Sequence, residues 1–154
     1  MDIEIGLSES DRLQSATALK RVLSETYALY VKTHGYHWNV TGPRFQALHA
    51  EFMTQYTELW AALDELAERI RALGVFAPGS STELLEHATI TADNGVPDAE
   101  VMIANLARGH EAVARAARQG IEEASAVGDD VTVDLLTQRT TIADKTAWML
   151  RASL

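Results

Sequence analysis

Three of the chain's five histidines, His34, His37 and His49, fall within the sixteen residues "HGYHWNVTGPRFQALH" around a Gly-Pro break. Fifteen positions beyond His49 stand Asp64 and Glu68, four apart and so on one face of any helix that carries them. The chain has no cysteine, which excludes thiolate sites and leaves imidazole and carboxylate as ligand types. Those types suit iron, manganese or zinc. Each piece has a plainer reading. A histidine-rich break is also just a turn, and acids at i and i+4 beside Arg69 and Arg71 are also a solvated helix surface.

The elements that must position these residues read as helices. Leu13, Ala16, Leu19, Val22, Leu23, Tyr27, Tyr30 and Val31 recur at steps of three and four, predicting a helix over 10–38 with capping residues at 8–11. Pro43 opens a second helix, which runs to Leu73 and stops at Gly74. "STELLEHA" (81–88) predicts a short helix inside the connection. A third long helix follows from about Pro97 to Val127 and a fourth from Asp130 to Ala152. One all-α domain over 1–154 results: a four-helix bundle with a small extra helix between the second and third. The long middle connection predicts a crossover.

The second helix carries two stripes. Phe45, Leu48, Phe52, Leu59, Leu63, Leu66, Ile70 and Leu73 form the core stripe. His49, Met53, Tyr56, Trp60, Asp64 and Glu68 form another, roughly 100° or more around the cylinder. Met, Tyr and Trp on an outer face mark a contact, and a second copy of the chain is the expected partner. A cation would offset carboxylates buried at that contact. Bundle-interior di-iron sites use Glu-x-x-His. No histidine here has a glutamate three residues before it, so a metal centre is expected between subunits.

Net charge bounds the partners. Thirteen Lys and Arg against twenty-two Asp and Glu give −9, a surface that repels phosphate backbones and attracts cations. No signal peptide or membrane-spanning run is visible, which predicts a soluble, cytoplasmic protein.

"YHWNVTGPRFQALH", "YTELWAALDELAERIRALG" and "GDDVTVDLLTQRTTIADKTAWML" together resemble the Dps mini-ferritins, the DNA-binding proteins from starved cells. That resemblance implies a ferritin-like bundle assembled into a hollow homo-dodecamer with a ferroxidase centre at each two-fold interface. It implies His37 and His49 from one subunit and Asp64 and Glu68 from its neighbour as iron ligands, with Trp38 beside them. The implied reaction is oxidation of iron(II), preferably by hydrogen peroxide, with storage of ferric mineral and protection from oxidative damage. Trp38 resembles a radical-intercepting tryptophan, and reads equally as an interface aromatic. Asp129, Asp130 and Asp134 fall where the family places acidic pores, and read equally as helix capping. His34, His87 and His110 have no ligand role in the family and are expected at the surface or behind the ligands.

Two departures stand out. Met53 takes the place of an acidic residue four positions after the second histidine, which removes a hard ligand. Ala143 stands where related sequences often have histidine. Alternative readings are therefore a cage whose altered centre holds zinc, or a nucleoid-bound shell that shields DNA. Only one basic residue, Arg12, lies in the first twelve, so direct DNA binding is not expected.

Overall fold

The computed structural model describes residues 3–154. Five helices follow one another: α1 (Glu9–Asn39), α2 (Phe45–Ala72), α3 (Ser81–Leu84), α4 (Ala99–Ala126) and α5 (Asp130–Ala152). No strand occurs among the described residues. The four long helices fall within two residues of the sequence boundaries, because each is bracketed by a local stop or cap. Ser8 accepts from Asp11 N at 3.2 Å, and Asp129 accepts from Thr132 N at 3.0 Å. α3 is shorter than the eight residues expected. After the capping box of Ser80 and Glu83 the chain leaves the helix, and Thr89 and Ile90 turn to the buried carboxylate of Glu25 on α1.

α1 and α2 form one antiparallel hairpin, α4 and α5 the other, and α1 also packs on α4. Leu29 meets Gly109 while Ala18 meets Gly120, so α1 and α4 are antiparallel and α2 runs parallel to α4. The connection 73–98 must therefore travel the length of the bundle: Leu73 ends in one apolar cluster and Ala99 begins against the other. That is the expected crossover. Close helix contact needs the missing side chain at Gly109, where a Cβ would lie 2.4 Å from Leu29 Cδ1.

The core stripe of α2 holds for Leu48, Phe52, Leu59, Leu66, Ile70 and Leu73, all buried. Phe45 departs from it: in the first turn of α2 it has no bundle layer to enter and leans on His49, ring centroids 5.2 Å apart. On α1, Leu13 and Val31 are half exposed, because the helix buries the faces toward α2 and α4 and these two point elsewhere.

Candidate metal centre

His37 lies in the last turn of α1 and His49 near the start of α2. Gly42, at φ +107°, supplies the left-handed residue that reverses the chain between them. The two rings stack at 3.8 Å between centroids, 19° from parallel. His37 Nδ1 donates to the His49 carbonyl at 2.7 Å, and His49 Nδ1 donates to the His37 carbonyl at 2.8 Å. A carbonyl only accepts, so Nδ1 carries a proton in both rings, and the neutral form of each is the Nδ1–H tautomer, in which Nε2 has a free lone pair. An imidazole anchored through Nδ1–H on a carbonyl is how proteins aim a histidine at a metal. The donor set fits a divalent cation of the iron or zinc type.

His34 is wedged behind this pair. Its ring stacks on Tyr56 at 3.9 Å and 14°, lies 4.2 Å from Trp38, and has Tyr30 Oη 3.2 Å from its Nδ1. Desolvation lowers its pKa, and the neighbouring His37 lowers it further, so the ring stays neutral within the aromatic group. His34 is thus a half-buried neighbour of the pair, stacked among aromatic rings.

Asp64 and Glu68 lie on α2 and are exposed. Fifteen helical residues separate Asp64 from His49, a rise of about 22 Å, too far for one ion to bind both in a single chain. Among the described residues, no three His, Asp or Glu side chains are arranged so that they could hold a metal ion together. Between the two ends of the stripe, Trp60 is 64% exposed and Met53 52%, while Trp38 on α1 is 66% exposed. A row of large apolar side chains in water beside the paired histidines marks a face suited to contact with another molecule.

The three candidate pore acids separate. Asp129 is 2% exposed, and its carboxylate accepts from Thr132 N and Oγ and from the Arg69 guanidinium at 2.7 Å. It caps α5 and pairs the half-buried Arg69, the helix-capping role that the sequence offered as the equal alternative to a pore. Asp130 and Asp134 are exposed. His87 is exposed as expected, but His110 is not at the surface. It is 2% exposed inside the bundle, 3.2 Å from Gln55 Oε1, and burial with the nearby Arg139 charge pushes its pKa down to about 3. Its spacing from Ile103, Leu106 and Val113 already puts it on the core face of α4, a signal outweighed by its polarity. Arg139, 4% exposed and bound in two places by Glu58, fills the same interior level with a fixed cation.

Residues 16–154 match the ferritin-like domain family. The chain is 36% identical over 141 residues to DNA protection during starvation protein 2 of Bacillus anthracis, covering 92% of this chain and 97% of that protein. It is 38% identical over 152 residues to a low temperature-induced protein of Nostoc, covering 97% and 85% of the two chains. A Dps crystal structure from Vibrio cholerae, described as a member of a broad superfamily of ferritin-like diiron-carboxylate proteins, superposes with TM-score 0.93 at 33% identity. That match covers 99% of this chain and 96% of that one.

Proposed function

Since the chain belongs to the ferritin-like family, among relatives named DNA protection during starvation proteins, we propose that it is a mini-ferritin that oxidises and stores iron. Iron(II) is the substrate. The reading rests on one observation above the others: the reciprocal Nδ1 bonds of His37 and His49, which leave both Nε2 atoms ready to bind. Twelve copies form a hollow shell, and Asp64 and Glu68 of a second copy complete each site at a two-fold contact. Their carboxylates offset the cation's charge, and burial of Trp38, Met53 and Trp60 excludes water around it. Two iron(II) ions give one electron each to hydrogen peroxide, which takes two protons and leaves as two waters. Removing both reactants together protects the cell from hydroxyl radical, and the ferric product is stored inside. Zinc, which accepts the same nitrogen and oxygen donors, competes for the site.

Trp38, exposed and 4.2 Å from the His34 ring, is an oxidisable side chain close to the centre, as is Tyr56, 5.1 Å from His37. Asp130 and Asp134, at the start of α5, would concentrate cations at an entry path. The shell works in the cytoplasm, and with a net charge of −9 it does not bind DNA directly.

The test is an anaerobic iron(II) titration followed by peroxide, with ferric absorbance as the readout. Native protein should oxidise iron promptly. Asp64→Asn with Glu68→Gln should abolish oxidation while light scattering still shows the assembled shell. Equal rates in the two proteins would refute this assignment of the ligands.

A further inference from the structure

On the side of the bundle away from α2, residues of α1, α4 and the crossover line an open recess of about 290 Å³. Its lining includes three cations, Lys32, Arg108 and Arg115, and one carboxylate, Asp93, so it carries two surplus positive charges in a chain of net charge −9. Arg108, Ala112 and Arg115 are one face of α4 at steps of four and three, and Lys32 reaches the same space from α1. The tight α1–α4 contact at Gly109 brings the two helices close enough to share it.

Lys32 is the decisive residue. Its side chain is only 10% exposed, yet its ammonium makes no hydrogen bond among the described residues. The nearest carboxylate oxygen, Asp93 Oδ2, lies 3.6 Å away and already accepts from Tyr36 Oη and from Asn105 Nδ2 at 3.3 Å. An ammonium has three protons to place, and this one, partly buried beside an already engaged carboxylate, has protons left for a further acceptor in the recess. Arg115 has no ion pair or side-chain hydrogen bond among the described residues, and Arg108 bonds only Asn105. Thr91 adds a hydroxyl at the rim.

We infer that this recess binds a small tetrahedral oxyanion of the phosphate class. Such an ion offers several oxygens to donors that converge from three directions, and guanidinium forks match it in two-point geometry. The ion is free phosphate or the terminal phosphate of a small molecule rather than a nucleic-acid backbone. The site is a recess of limited volume, and the surrounding surface charge repels a duplex. The inference is independent of the iron reaction, since none of the proposed metal ligands lines the recess.

Titration calorimetry of the assembled protein with inorganic phosphate at low ionic strength tests it, with thermal unfolding as the second readout. One phosphate should bind per subunit and raise the unfolding temperature, as any ligand of the folded state does. Arg108→Gln with Arg115→Gln should bind about tenfold more weakly or worse and lose that thermal shift. Both residues are on the surface side of α4, so the variant keeps its core. Thr91→Glu, which puts a carboxylate at the rim, should weaken phosphate in the same way. Absence of heat and thermal shift with native protein would overturn the proposal, as would equal binding by the double variant. A short DNA duplex that binds through these arginines while free phosphate does not would overturn it in favour of a macromolecular contact.

Discussion

His37 and His49 hold each other: each ring's Nδ1–H rests on the other residue's backbone carbonyl, at 2.7 and 2.8 Å, and the two rings stack at 3.8 Å, so neither imidazole turns without breaking its own hydrogen bond and the shared stack. The two side chains, proposed as ligands, are therefore positioned as a pair. His37→Ala keeps the carbonyl that holds His49 Nδ1–H but removes the ring stacked on His49 at 3.8 Å, so metal affinity should fall by more than the loss of a single donor, an effect of about 10–100-fold at other metal sites. The double variant should be little worse than either single one. Calorimetry with cobalt(II) or zinc(II) measures this, and additive losses would count against the coupling.

Met53 sits one turn after His49, half exposed, with space around it in the subunit. Met53→Glu should add a hard oxygen donor, tighten binding of a second iron(II), and speed oxidation by peroxide severalfold. Stoichiometry from anaerobic titration and the rate of ferric absorbance are the measurements. If both proteins bind two irons per centre and oxidise them equally fast, another group supplies the missing oxygen.

Trp60 is 64% exposed on the proposed contact face, whereas His87 is exposed on the crossover. Trp60→Glu should shift the assembly toward small species at micromolar concentration, while His87→Glu leaves it whole. Multi-angle light scattering distinguishes the two.

Asp129 and Asp134 predict opposite phenotypes. Burial would raise the Asp129 pKa, but hydrogen bonds from Thr132 and the Arg69 charge outweigh it and hold the carboxyl below its usual value. A depressed carboxyl contributes stability that is present above its unfolded pKa and lost as pH falls through the folded one. Asp129→Asn should therefore destabilise the fold by about 2–4 kcal/mol at neutral pH, leaving the half-buried Arg69 without its partner. Asp134→Asn should leave the melting temperature unchanged and slow iron uptake at low iron concentration. Unchanged uptake would assign Asp134 to the helix end alone.

His110 gives the fold an acid sensitivity. Its folded pKa, about 3, lies below the unfolded value of 6.5, so the unfolded chain takes up the proton first. Stability from this group is full above pH 6.5 and falls by about 1.4 kcal/mol per unit below it, until pH nears 3. His110→Gln should flatten that decline between pH 6.5 and 5, as read from urea midpoints. Parallel pH profiles for the two proteins would show that His110 titrates normally.

Helices and topology were legible in the sequence because local signals carry them: apolar steps of three and four, the Gly42-Pro43 break, the stops after Leu73 and Val127. The histidine half of the site was legible for the same reason, since His37 and His49 flank a short turn. What composition alone concealed depends on packing between distant elements. Asp129 reads like any helix-start aspartate until Arg69 comes across from α2. His110 looks like a surface histidine until α2 presents Gln55. The early end of α3 is decided by Glu25, more than fifty residues upstream. Leu13 and Val31 fit the period of α1, yet a helix touching two neighbours does not bury one straight stripe.

All three tryptophans, Trp38, Trp60 and Trp148, are at least 64% exposed, and none lies in either apolar cluster. The indoles of an isolated folded chain would thus emit almost as they do in the unfolded chain, so fluorescence would be nearly blind to folding. Trp38 and Trp60 flank the proposed contact face, so their emission should shift to the blue when chains come together, with helical circular dichroism unchanged. The molecule carries its own optical reporter of association, separate from any signal of its secondary structure.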